Sequence, residues 1–294
     1  MTTTTLLALF LNVLATCLHQ VEGVAIKKYN AKYNDGGYIF IGLVSLVAMI
    51  FFIVTDTNGI NITPEMLPYG IASGIFYASA SILTFVAFTC GSFVLTNLFL
   101  SYALLFSVVY GLVFLKDPAN ILTYIGLGMM LVSVFLVRGQ NGEGEKKTKI
   151  SWKWIICVVI SMIGSGMFGV LKKLQQVKFD RACDNEFMIV TLGFSVLAML
   201  VIAIIKDGKS IPSVIRHGAP YAGIAGVTNG ITNLLGLTVN TLIPISIAAP
   251  TGSGVKIVVS FLLALLVFKE KLAKRQIVGV VLGAVALILL NLDI

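Results

Sequence analysis

The sequence predicts an all-α integral membrane protein of ten transmembrane helices arranged as two inverted five-helix repeats. Three observations carry this. First, the 294 residues are 57% hydrophobic and only 12% charged, with mean hydropathy +0.98. A soluble domain has about 45–50% apolar and about 25% charged residues. Second, the apolar residues fall in runs near the roughly 20 residues that a helix needs to cross a bilayer. Third, the two halves of the chain share short patterns in the same order. The composition excludes a soluble globular enzyme, a disordered chain and a disulfide-stapled secreted domain. Ten spans use about 200 residues, which leaves no room for a separate catalytic domain.

The spans run 4–26, 38–55, 67–89, 93–115, 120–138, 153–171, 187–205, 219–240, 244–268 and 276–292. They are too long, and too little alternating, for barrel strands. Span one follows the Thr2–Thr5 tract. It lacks a basic n-region and carries His19, Gln20 and Glu22, so it reads as a span and not a cleaved leader. Lys27–Lys28 close span one, and Lys172–Lys173 close span six. Pro68–Tyr69 open span three, and Pro220–Tyr221 open span eight. Lys116–Asp117 end span four, and Lys269–Glu270 end span nine. The Gly- and charge-rich segment 139–151 divides five spans from five. The domain expectation is therefore a first repeat over 1–140, a linker over 141–151 and a second repeat over 152–294. An odd number of spans per repeat turns the second repeat upside down relative to the first.

Asp117 precedes Gly126 by nine positions, and Glu270 precedes Gly279 by nine. With Gly226, Asn229, Gly230 and Asn233 in span eight, these residues resemble the drug/metabolite transporter superfamily in its ten-helix EamA-like form. The resemblance implies two inverted five-helix repeats, a central cavity and transport of small metabolites by alternating access. It does not supply a substrate. In small relatives an acidic residue of helix one lies eight residues before a Lys, whereas here Glu22 is displaced from that spacing. Lys256–Ile257 is similar to half of the Lys–Arg clamp of sugar-phosphate translocators.

Lys256 is the sharpest polar feature. It lies twelve residues from Pro244 and twelve from Phe268, about 18 Å along a helix from either. The hydrocarbon half-thickness is about 15 Å, which puts Lys256 near the midplane. A central Lys costs about 2.5–3.5 kcal/mol on insertion, so water in a cavity, an acidic partner or an anionic ligand must offset it. Ser253 shares its stripe. The competing reading is a structural ion pair with Glu22. His19 and Glu22 are candidates for proton coupling. Asn97, Asn229, Asn233, Tyr77, Tyr102 and Gln20 are candidates for substrate contact, and each reads also as packing or polar glue between helices. Gly164, Gly166 and Gly169 match GxGxxG, but no strand precedes them, and close helix packing is the better reading.

The four cysteines form no CxxC pair, so neither a disulfide nor a zinc site is expected. No nucleophile elbow, HExxH pair or phosphate loop occurs, and no cofactor, metal or nucleic-acid partner is expected. The net charge is +8. Fifteen of the 21 basic residues fall in the loops after spans one, five, seven and nine. The positive-inside rule then favours both termini outside, whereas the resemblance implies both inside. The expected function is non-enzymatic: secondary transport of a small polar metabolite, anionic or zwitterionic, across the cytoplasmic membrane. The expected partners are that solute, the lipid bilayer and protons, with a monomer or homodimer both open. The alternatives are a membrane-embedded enzyme on a lipid-linked substrate, an exporter of cationic or neutral compounds, and a non-transporting scaffold.

Overall fold

The computed structural model describes residues 3–33, 35–56, 59–103, 121–138, 151–243, 245–269 and 274–291. Among them there are helices, turns and no strand. The helices are α1 (Thr3–Lys32), α2 (Gly37–Thr55), α3 (Leu67–Cys90), α4 (Phe93–Ser101), α5 (Ile121–Arg138), α6 (Trp152–Lys178) and α7 (Asp184–Lys206). They continue with α8 (Ile211–Leu242), α9 (Ile245–Leu266) and α10 (Lys274–Asn291). Six of them, α1, α2, α3, α6, α7 and α8, are long and apolar enough to cross a membrane. The second half of span four, residues 139–150 with all of the expected linker but Ser151, Pro244, Asp117 and Glu270 lie outside the described residues.

The ends of these helices are set by local chemistry. Ser92 and Ser151 cap α4 and α6, accepting from the backbone N–H of Leu95 and Lys153. Asp184 and Glu186 sit in the first turn of α7, where a carboxylate meets the positive end of the helix dipole. The start of α2 is capped from another helix end: Asp207 Oδ2 accepts from the N–H groups of Tyr38 and Ile39 at 2.7 and 3.1 Å. Inside α8, Val214–Gly218 form one π turn.

Three helices outrun their apolar spans, α8 at its start, which begins at Ile211 and not at residue 219, and two at their C-terminal ends. α1 continues beyond residue 26 to Lys32, and α6 beyond residue 171 to Lys178. The added residues of α6 are Lys, Leu, Gln and Val, most of them strong helix formers, so the backbone stays helical after hydropathy falls. Lys172 and Lys173 therefore lie within α6 and do not close it.

Contacts define two ends of the bundle. At the first, the C-termini of α1, α3, α7 and α9 meet the N-termini of α2, α4, α6 and α8. Tyr29 stacks on Phe40 with ring centroids 4.1 Å apart and also packs on Tyr33, Phe85 and Tyr221. Tyr33 stacks on His217, and Phe93 packs on Phe88 and Phe268. The exposed cations Lys28, Lys32, Lys206, Lys209, Arg216, Lys269, Lys274 and Arg275 make this the basic end. At the other, the Asp184 end, Tyr69 of α3 packs on Phe179 after α6. Asn185 of α7 donates to Asp56 after α2.

Small residues let the helices approach. α1 packs chiefly along α8, α3 along α6, and α5 along α10. A Cβ on Gly164 of α6 would stand 2.9 Å from the Phe76 carbonyl oxygen of α3. On Gly226 of α8 it would stand 2.7 Å from the Val44 carbonyl oxygen of α2. Gly164 of the GxGxxG pattern is thus a helix-packing residue.

Candidate functional site

A cavity of about 290 Å³ opens between α1, α2, α3, α4, α6, α8 and α9. Its polar lining comes from His19 and Glu22 on α1, Tyr77 on α3, Asn229 and Asn233 on α8, and Lys256 on α9, with the hydroxyls of Ser45, Ser81, Thr84, Ser165 and Thr232 beside them. Ile26, Ile41, Val44, Leu100 and Phe168 supply apolar wall. Such a mostly apolar hollow with a few convergent polar groups is the usual form of a small-molecule site.

The helical spacings explain the convergence. His19 and Glu22 are three residues apart on α1, one turn on the same face. Glu22 is buried, at 8% exposure. Its Oε2 lies 3.1 Å from His19 Nδ1, and its Oε1 accepts from Asn229 Nδ2 at 3.0 Å. Asn229 Oδ1 accepts in turn from Tyr77 Oη and from Asn233 Nδ2, both at 3.1 Å. Asn229 and Asn233 are four apart on α8, and the Asn233 amide also reaches back to the Asn229 carbonyl at 3.1 Å. One carboxylate is thus held by a satisfied chain of neutral donors running through three helices.

Lys256 stands apart from that chain. It faces the same cavity as Glu22 and lies near enough to feel its charge, but the two make no direct ion pair. Among the described residues no acceptor lies within hydrogen-bond distance of its ammonium. An ammonium that faces a cavity without a protein partner has its donors available to water or to an anion.

The other candidates fall outside the cavity lining. Gln20 is 1% exposed, and neither its Nε2 nor its Oε1 has a partner among the described residues. Asn97 is buried and donates to the Phe93 carbonyl one turn back. Ser253 donates to the Ser101 carbonyl at 3.4 Å across the α4–α9 contact. Tyr102 lies between α4, α5 and α10, with its hydroxyl 2.7 Å from Ser133 Oγ, which donates to the Gly279 carbonyl. The structure therefore joins His19, Glu22, Tyr77, Asn229, Asn233 and Lys256 around one cavity. It places Gln20, Asn97, Ser253 and Tyr102 in helix seams.

Lys172 was not among the sequence candidates. It is 9% exposed, and its Nζ donates to the carbonyl oxygen and Oδ1 of Asn233 at 3.4 and 3.5 Å. The signal that points to it is the helix-forming sequence after residue 171, which keeps Lys172 inside the bundle. Among the described residues no cluster of three or more His, Cys, Asp or Glu could hold a metal ion.

Residues 152–292 match the sequence model of the EamA-like transporter family. A solved structure described as "Crystal structure of protein" superposes on 100% of this chain and 98% of its own, with TM-score 0.65 and 13% sequence identity. At that identity the likeness establishes a shared fold and nothing about function. It is one of 27 solved chains that match. No curated protein matches the chain.

Proposed function

We propose that this chain, whose residues 152–292 belong to the EamA-like transporter family, is a secondary transporter for a small anionic or zwitterionic metabolite. The coarser statement, a multi-pass membrane transporter of the drug/metabolite type, follows from that family and from the six long apolar helices. The finer reading rests on one observation. Lys256 presents to the cavity an ammonium with no partner among the described residues, while the Glu22 carboxylate on the same cavity is engaged by Asn229 and His19.

In this reading an anionic group of the solute binds Lys256, and a cationic or donor group lies toward Glu22. Tyr77, Asn229 and Asn233 orient the solute by neutral hydrogen bonds. The Glu22–His19 pair takes up and releases the coupling proton, as a membrane carboxylate beside an imidazole is suited to do. Alternating access comes from two inverted five-helix repeats rocking about the cavity. Supporting this, α1 and α6 run in opposite directions between the two ends, as do α2 and α7, α3 and α8, and α4 and α9. The basic end faces the cytoplasm by the positive-inside rule, in the cytoplasmic membrane.

The test is thermal unfolding of the purified chain with anionic, zwitterionic, cationic and neutral metabolites, followed by uptake of the stabilising compounds into proteoliposomes. Stabilisation by an anion or zwitterion that is weakened in Lys256→Gln, with uptake falling alongside, supports the reading. Stabilisation by cations alone, unchanged in Lys256→Gln, overturns it.

A further inference from the structure

Lys172 sits just beyond the cavity on the side of the Asp184 end. On α6 it follows the cavity-lining Phe168 by one turn, and on α8 its partner Asn233 lines the same cavity. Its Nζ lies 5.9 Å from the centroid of the Phe168 ring. The ammonium is buried yet poorly coordinated. Its two acceptors among the described residues both belong to Asn233, at 3.4 and 3.5 Å. The carboxylate that acts on it electrostatically, Asp184, is already engaged. Gln175 Nε2 donates to its Oδ1 at 2.6 Å, and Gln176 Nε2 to its Oδ2 at 3.0 Å. The side of α8 that faces the ammonium carries Gly236, where a Cβ would stand 3.4 Å from Nζ.

We propose that Lys172 and Asn233 form a second anion-binding position, which the solute's anionic group occupies between Lys256 and the Asp184 end. The proposal rests on the transporter reading above and adds to it a stopping point on the path. A buried ammonium with three donors and two long contacts lacks a full set of partners, and an arriving carboxylate completes it. Asp184 is held aside by the two glutamine amides and does not neutralise Lys172. The Asn233 amide links the two positions, because it donates to Asn229 while its oxygen accepts from Lys172. An anion on Lys172 therefore reports to Glu22 through two side chains.

Benzoate and its neutral isostere benzamide serve as probes, titrated against the purified full chain with thermal unfolding as the readout. The proteins are wild type, Lys256→Gln, Lys172→Gln and the double variant. Wild type should favour benzoate. Lys256→Gln should keep part of that preference, on the order of tenfold in affinity, the usual effect of one hydrogen bond to a charged group. The double variant should show none. Should Lys172→Gln fail to fold, Gly236→Ala in the Lys256→Gln chain keeps the lysine and places a methyl beside its Nζ. It should abolish the remaining preference.

If Lys256→Gln alone removes all preference, the proposal is overturned and the central site stands. If wild type shows no preference, both readings fail. A preference that survives in the double variant, or stabilisation by potassium chloride equal to that by benzoate, also overturns the proposal. The first puts the anion elsewhere, and the second assigns the position to an inorganic ion.

Discussion

Replacing Lys256 with Gln separates a ligand-binding ammonium from a structural one. Without ligand, the change removes a positive charge that makes no direct ion pair with Glu22. Breaking a buried ion pair leaves an uncompensated charge and costs about 3–5 kcal/mol. That penalty should be absent here, so the variant should unfold at or above the wild-type temperature. With an anionic ligand the effect reverses. A hydrogen bond to a charged group contributes about 1.5–3 kcal/mol, or about 10- to 150-fold in affinity. At about 100 times the wild-type Kd, mass action stabilises wild type by about 2.7 kcal/mol. A variant binding about 100-fold more weakly gains only about 0.4 kcal/mol at the same concentration. At about 2–4 °C per kcal/mol, a wild-type shift of about 5–11 °C shrinks to about 1–2 °C. The assay is thermal unfolding in detergent with and without ligand, checked for monodispersity by gel filtration. Two outcomes refute the reasoning: a ligand-free loss of more than about 3 kcal/mol, or a ligand shift that the substitution leaves undiminished.

Glu22→Gln keeps an oxygen that can accept from Asn229 but removes the negative charge. The chain should stay folded, and proteoliposome uptake should stop responding to an imposed proton gradient; a retained response would exclude Glu22 from coupling. Tyr77→Phe removes one of two donors to Asn229 Oδ1 and should lower stability by about 0.5–1.5 kcal/mol, read from denaturation midpoints. Gly226→Ala drives a methyl toward the Val44 carbonyl and Val47, and should destabilise by about 1–3 kcal/mol. Gly254→Ala meets nothing within 4 Å and should be neutral or slightly stabilising. Cys183 lies between α6 and α7, where burial first, and then the Glu186 carboxylate, push its thiol above the ordinary range. Its maleimide labelling should therefore be slow at neutral pH and should rise steeply in alkali, followed by mass spectrometry.

Much of this was legible in the sequence because hydropathy and helical spacing are local quantities. The apolar runs placed most helices within a few residues. The charge at Lys256 and the three- and four-residue steps of His19/Glu22 and Asn229/Asn233 marked faces that do meet at a cavity. What stayed hidden depends on partners distant in the chain. Tyr102 reads in the sequence either as a substrate contact or as packing, and Ser133 and Gly279 on other helices draw it into a seam. Lys172 looked like a flanking residue because hydropathy falls there, while helical hydrogen bonding continues to Lys178. Hydropathy marks where a chain leaves the apolar layer, not where its helix stops.

The ring cluster at the basic end bears on leak. On the transporter reading proposed above, a proton-coupled carrier conserves its gradient only if water cannot thread it from end to end. Here Tyr29, Phe40, Phe85 and Phe93, from α1 to α4, interleave with Tyr221 of α8 and with Phe268 beyond α9, and on that reading they would be the insulation on that side. The two halves of the chain both donate rings, so opening this end means peeling apart aromatic pairs, each contributing about 0.5–1.5 kcal/mol beyond simple burial. Tight insulation and fast opening therefore draw on the same contacts. Trimming Tyr221 or Phe268 to Leu should make the carrier faster and leakier together.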